Sequence, residues 1–234
     1  MKKLIAFLIL LLPSSAFALT LSDIRNEIRE RIDDKADPKI RYTDKKLNNL
    51  INQAQRDVVN NTWCVSRSTS ITLAVGTTFY TLPSDLIAID RATRQYGNLP
   101  EVSLMQQDVD NNNTAWETTA GTPLYFFQDK SQKTKIGLAP YPSSASDAGT
   151  LRIIYFSTAP DLSADSDVPF NSEVRLTNYQ DLLVYYPCYR IFLGEGDKEQ
   201  ATFFRQEYES RLAIMNENLG IKPSRISVPK ESKQ

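Results

Sequence analysis

The sequence predicts an α+β protein, a helical bundle built from both chain ends with a β-rich, hairpin-containing insertion between them. Three observations predict it. Near the start, Leu21, Ile24, Ile28 and Ile32 recur at helical spacing, and so do Leu47, Leu50, Ile51, Ala54 and Val58. The same period returns near the end in Ala201, Phe204, Tyr208, Leu212, Met215 and Leu219. Between them the apolar runs are short, alternating and cut by Gly, Pro and Asn. Helices of this length are marginal alone, so the two ends must pack on each other. A length of 234 residues with 41% hydrophobic content suits one core carrying an insertion.

Taken in order, the first helix starts at a Thr20 or Ser22 cap, because a hydroxyl accepts from the first free backbone N–H groups. Asp33-Asp34-Lys35-Ala36-Asp37-Pro38 ends it, since proline lacks the donor and bars helical geometry at the residue before it. Thr43 caps the second helix, and the pair occupies 21–63. The β-rich insertion spans 67–156. Arg67 to Leu73 alternates as a half-buried strand. Ala74-Val75-Gly76-Thr77 is a turn, and Phe79 to Leu82 is the return strand of a hairpin, stopped by Pro83. Leu86 to Arg91 reads as a further strand. Ser103 with Gln106 forms a capping box for a short helix through Val109. Asp110 to Asn113 is a loop, and Trp116 anchors the next segment. Leu124 to Phe127 and Lys135 to Ala139 form a second hairpin around the polar turn Asp129 to Lys133. Leu151 to Phe156 is a strongly apolar strand.

The C-terminal helices occupy 177–219. Thr177 with Gln180 makes another capping box, ahead of a helix rich in Tyr179, Leu182, Leu183, Tyr186, Tyr189, Ile191 and Phe192. Pro187 kinks or restarts it. Gly194-Glu195-Gly196-Asp197 breaks it and caps the last helix, which Gly220 stops.

The available chemistry is sparse. The chain has no histidine, which removes Ser-His-Asp and Cys-His nucleophile systems and His-containing zinc sites. The net charge of −1 makes no global case for nucleic acid. Cys64 and Cys188 either pair, if both face one core, or stay as buried thiols. Asp161, Asp165 and Asp167 have part of a calcium-loop spacing but lack its glycine and its distal bidentate glutamate, so a solvated acidic loop is the reading. Glu27, Glu30, Asp33 and Asp34 interleave with Arg25, Arg29 and Arg31, which is the pattern of i, i+4 pairing on a helix rather than of a glycosidase acid pair. Tyr179, Tyr185, Tyr186 and Tyr189 at helical spacing read as core or subunit interface. No residue qualifies as catalytic, metal-binding or cofactor-binding.

The ends differ from the body at 19–220. Residues 1–18 carry Lys2-Lys3, an apolar run from Leu4 to Leu12 too short to span a bilayer, and Ala16-Phe17-Ala18 in the form of a cleavage site. That is the pattern of a secretory signal, with the mature chain beginning near Leu19; it makes a secreted or periplasmic binding protein the alternative reading. An apolar arm against a partner, or a start upstream of Thr20, also accounts for it. The tail, 221–234, holds Lys222, Arg225, Lys230 and Lys233 against Glu231, with Pro223 and Pro229. It cannot bury a core and is expected to be disordered in isolation. Such a basic tail suits DNA, a membrane surface or a groove on a protein.

Several stretches together resemble tailed-phage head-to-tail adaptor (connector) proteins. They are L-S-D-I-R-N-E-I-R-E-R-I-D-D with Y-T-D-K-K-L-N-N-L-I-N-Q-A-Q-R-D-V, then I-T-L-A-V-G-T-T-F-Y-T-L-P-S-D-L-I-A-I. Next come W…G-T-P-L-Y-F with I-G-L-A-P-Y-P, and the closing Y-Q-D-L-L-V-Y-Y-P-C-Y-R…G-D-K-E-Q-A-T-F-F-R-Q-E-Y. The order of the parts, covering most of Leu21 to Leu219, carries the resemblance. It implies a structural virion protein, not an enzyme, without cofactor. The partners it implies are the portal protein, other tail proteins and further copies in a homo-oligomeric ring, a dodecamer by portal symmetry. DNA is passing cargo, and the mature form meets no membrane. In such families the C-terminal segment docks on the portal; by position that falls here to Ile221, Lys222, Pro223, Arg225, Ile226, Val228 and Lys230. Some members are associated with cell-wall cleavage, which keeps a wall hydrolase as the third reading.

Overall fold

The structure is a computed structural model, and it describes residues 18–34, 41–96, 102–106, 118–128 and 134–219. Among them are four α-helices, two near each end of the chain, with a β-rich middle. Helix α1, Leu21–Arg31, opens on a reciprocal capping box: Thr20 Oγ1 accepts from the Asp23 N–H at 3.2 Å, and the Asp23 carboxylate accepts from the Thr20 N–H at 2.9 Å. Thr43 caps α2, Asp44–Thr62, through the Lys46 N–H. Trp63 ends α2 in the left-handed region at φ 51°, which turns the chain out of the bundle and into the sheet. The turn expected at Asp37-Pro38 lies outside the described residues.

Seven strands come after α2: β1 Ser66–Leu73, β2 Phe79–Thr81, β3 Leu86–Gln95, β4 Val102–Gln106, β5 Tyr125–Phe127, β6 Lys135–Ala139 and β7 Gly149–Ser157. Their order across the sheet is β1-β7-β3-β4-β5-β6-β2. All neighbours are antiparallel except β4 and β5, which pair in parallel through Met105 and Gln106. Every strand sends residues to one core, with Leu73, Tyr80, Ala92, Leu104, Phe126, Ile136, Leu138, Leu151, Ile153 and Tyr155 buried together. The sheet therefore curls around its own interior. At the top of the curl the Tyr80 hydroxyl accepts from the Ala74 N–H at 3.1 Å and reaches the carbonyls of Ala74 and Thr77.

Two expectations for this region are corrected. The first concerns the hairpin of β1 and β2. The turn forms, with Gly76 at φ 75°, but β1 pairs with β7 along its whole length and β2 pairs with β6. The long apolar β7 offers β1 eight register positions, Ser66↔Phe156 through Leu73↔Gly149; β2 is only three residues long. The second concerns the helix expected from Ser103. Residues Val102–Gln106 form β4, because Leu104 buries opposite Ala92 of β3; burial overrides a local capping signal. The hairpin of β5 and β6 forms as expected, and β3 extends past Arg91 to Gln95. The Asp110 to Asn113 loop, Trp116 and the Asp129 to Lys133 turn lie outside the described residues.

After β7 the chain returns through two 3-10 turns, Phe170–Ser172 and Val174–Tyr179, to α3, Leu182–Glu195, and α4, Lys198–Leu219. The Thr177–Gln180 capping box is a further correction. Asp181 caps α3 through the Leu182 N–H, and Gln180 Oε1 instead accepts the Leu19 N–H at 2.6 Å. That long-range bond ties the start of α1 to the start of α3. Pro187 is buried inside α3, which runs on as one element. Gly196 at φ 83° ends α3 and turns the chain into α4; the expected stop at Gly220 is outside the described residues.

The helical core joins both ends. Leu21, Ile24 and Ile28 of α1 and Leu47, Ile51, Ala54 and Val58 of α2 bury with Leu182, Leu183, Val184 and Ile191 of α3 and Phe204, Tyr208 and Met215 of α4. Helix directions are fixed by polar contacts. The Tyr42 hydroxyl, just ahead of α2, donates to Glu195 at the end of α3. Arg211 and Asn218 of α4 bond Asn178 and Tyr179, just ahead of α3. Helices α2 and α4 thus both run antiparallel to α3 and parallel to each other.

Candidate interface surfaces

The aspartates of the acidic connection do not converge. The Arg56 guanidinium donates to Asp161, Arg25 donates to Asp165 at 2.5 Å, and Asp167 accepts the Ser163 and Ala164 backbone N–H groups at 2.7 and 2.8 Å. Those two backbone donors hold the Asp167 carboxyl below its usual range. The connection is fastened to α2 from within as well. Asn52 donates to the Leu162 carbonyl and accepts its N–H, while Gln55 donates to the Pro160 carbonyl and accepts the Phe170 N–H. Both amides are buried. Neither belongs to the apolar period Leu47, Leu50, Ile51, Ala54 and Val58, and a strap crossing the polar side of α2 leaves no periodic signal in the sequence.

The carboxylates of α1 are also structural. Glu27 accepts from Arg31 at 2.6 Å, one turn on. Asp34 is buried, accepting from the Arg41 and Tyr42 N–H groups and from Arg29. Arg29 continues to Asp44 at 2.6 Å and to the Tyr42 carbonyl. Burial and the bond to Glu195 push the Tyr42 hydroxyl up to about 12. This network locks the α1–α2 connection onto the end of α3. It presents no pair of carboxylates across an open cleft.

The tyrosines serve packing within the chain. Tyr186 meets Tyr208 edge-on at 5.4 Å and Tyr189 at 6.2 Å. Arg31 lies over Tyr185, Arg190 over Tyr186 and Arg211 over Tyr179. Cys64 and Cys188 are both buried and unpaired in the helical core. Burial pushes the Cys188 thiol up to about 12.

The outside of the body is apolar at specific places. Leu193, at the α3 end, and Phe203 and Ile214, on α4, are about half exposed. At 100° per residue Phe203 and Ile214 lie on one line of α4, away from its buried stripe of Ala201, Phe204, Tyr208 and Met215. Val174, on the second 3-10 turn, is 86% exposed. A lone exposed apolar residue means little; Phe203 and Ile214 stand about three turns apart, with the exposed Glu207 and Ser210 between them on the same side of α4. The residues assigned to docking in the tail, Ile221, Lys222, Pro223, Arg225, Ile226, Val228 and Lys230, lie outside the described residues.

The sequence profile of the SU10 adaptor protein family matches residues 19–227, from just ahead of α1 to beyond the end of α4. The chain belongs to the SU10 adaptor protein family. This is a phage head-to-tail adaptor family, so the order of parts in the sequence pointed to the right group, and the role is structural. Membership gives no support to the periplasmic alternative drawn from Met1 to Ala18. No curated protein matches the chain. In an SU10 adaptor protein the surfaces that matter are those facing other protein chains.

Proposed function

We propose that this protein works in the phage virion as a ring of identical copies beneath the portal, linking it to the tail while DNA passes through the centre. The observation that carries the reading is the family match, which covers both helical pairs and the sheet and continues into the tail. The helical bundle packs against neighbouring copies through Leu193, Phe203 and Ile214. The tail grips the portal through Ile221, Lys222, Pro223, Arg225, Ile226, Val228 and Lys230. The curled sheet faces the next tail component. A ring requires two different patches on each copy, since a self-complementary patch closes a dimer. The portal's symmetry makes the ring a dodecamer.

The test is capture of the chain on purified portal, with and without residues 221–234, read by native mass. The full chain should bind as a ring. The shortened chain should keep its fold and its thermal transition yet lose the portal. Binding by the shortened chain would remove the tail from the docking role.

A further inference from the structure

Strand β1 has an open edge. The Ser157 N–H donates to the Val65 carbonyl at 2.9 Å, which makes Val65 and Ser157 a hydrogen-bonded pair. With the unbroken register from Ser66↔Phe156 to Leu73↔Gly149, the bonded positions of β1 are Arg67, Thr69, Ile71 and Leu73. The backbone N–H and C=O groups of Ser66, Ser68, Ser70 and Thr72 therefore point away from β7. Among the described residues nothing bonds them, and Ser68, Ser70 and Thr72 are exposed. Folded proteins guard such edges with lysine, proline, a bulge or a covering segment. This one carries none of the first three: its single charge, Arg67, is bound to Asp85 at 2.7 Å.

The end of α4 lies toward the start of that strand. Tyr208 of α4 is level with Asp57 of α2. From there α2 continues only to Thr62 while α4 continues to Leu219, so α4 overshoots by about 9 Å at 1.5 Å per residue. That brings it to the end of the bundle where β1 begins. One short 3-10 turn separates the two: Arg175 at its start donates to the Cys64 carbonyl, and Tyr179 at its end accepts from Asn218. Gly220 to Pro223 then spans up to about 13 Å of extended chain. Beyond it, Ser224-Arg225-Ile226-Ser227-Val228 is a strand-length run between two prolines, with two β-branched residues in alternation. The family match runs into this stretch, to Ser227.

We infer that Ser224 to Val228 adds as an eighth strand to the free edge of β1 in its own chain, bonding the backbone of Ser66, Ser68, Ser70 and Thr72. Entering from the Cys64 end, it runs parallel to β1. Proline at each end limits the added strand to these five residues. The inference goes beyond the proposed docking role and gives it a first step, because a tail held on β1 must be released before it can grip a portal.

Amide hydrogen exchange at single-residue resolution tests it, on the full chain, on a chain ending at Gly220, and on the full-length Ile226→Pro variant. The expected result is protection of Ser68, Ser70 and Thr72 in the full chain, lost at least tenfold in both others. Arg67, Thr69 and Ile71, which bond β7, should exchange alike in all three, showing that the sheet is intact. Equal exchange of Ser68, Ser70 and Thr72 in the three chains overturns the inference. So does protection that disappears on dilution, which assigns the strand to a second copy. Loss of portal capture on truncation with unchanged Ser68, Ser70 and Thr72 exchange removes the strand and leaves the docking role standing. Retained capture with altered exchange does the reverse.

Discussion

Tyr208 donates its hydroxyl proton to Asp57 at 2.5 Å, joining the last helix to the second across 151 positions of the chain. The ring is buried, and burial with the adjacent carboxylate pushes its hydroxyl well above the ordinary tyrosine range. The contact sets the height of α4 against α2. It therefore decides where the tail leaves the body.

Tyr208→Phe keeps the ring packed on Tyr186 and removes only the hydroxyl. A hydrogen bond to a charged partner contributes about 1.5–3 kcal/mol. The partly exposed Asp57 regains water, so the lower end, about 1.5 kcal/mol, is expected. Urea unfolding should show a lower midpoint with an unchanged slope. An unchanged midpoint would mean that the bond contributes nothing.

Gln55→Leu should be worse than its conservative size suggests. It leaves the Pro160 carbonyl and the Phe170 N–H without their partner. Each buried group left unpaired costs about 1–3 kcal/mol. A combined loss of about 2–5 kcal/mol is expected, with the 160–170 strap exchanging its amides before the helices do. The exposed neighbour Gln53 changed to Leu should shift stability by less than about 0.5 kcal/mol.

Two glycines separate backbone strain from side-chain crowding. At Gly149, φ is 106° and a Cβ would lie 2.3 Å from the Gln95 carbonyl oxygen, so Gly149→Ala should cost about 3 kcal/mol or more. At Gly137 a Cβ would meet the Phe127 ring tip at 2.2 Å, and a ring can move. Gly137→Ala should cost about 1–2 kcal/mol. Thermal unfolding of the pair gives the order; equal losses would contradict it.

The thiols should be silent in the native state. A thiol reagent should label neither Cys64 nor Cys188 until the chain unfolds, when both react. Burial raises Cys188 from 9.0 to about 12 and Tyr42 from 10.0 to about 12. The folded chain thus holds protons that the unfolded chain releases. Stability is fully present below pH 9 and falls as pH climbs through 9 to 12. Cys188→Ala should flatten the first part of that fall, seen in unfolding midpoints between pH 8 and 10.

Phe203→Asp with Ile214→Asp should leave the melting temperature within about a degree or two, because both side chains are half exposed. Ring formation on the portal should be lost, read by native mass. A full ring from the doubly substituted chain would move the subunit contact elsewhere.

The sequence by itself determined the class of fold and most element types. Helical period in Leu21 to Ile32, Leu47 to Val58 and Ala201 to Leu219 is a local property, as are the caps at Thr20 and Thr43. The absence of histidine fixed in advance which chemistries were closed. The interleaved charges of α1 also spoke locally, since Glu27 finds Arg31 one turn away. Tertiary structure decided what is settled by competition between distant segments. Strand β1 chose β7 over its neighbour β2 because β7 offers a longer apolar partner. Residues Val102–Gln106 became a strand because Leu104 finds Ala92. Gln180 gave up its capping role to hold Leu19. Asn52 and Gln55, outside the apolar period of α2, are buried beneath a strap more than a hundred positions away. No window of sequence records those choices, because each compares the burial or hydrogen bonding of two places that only the folded chain brings together.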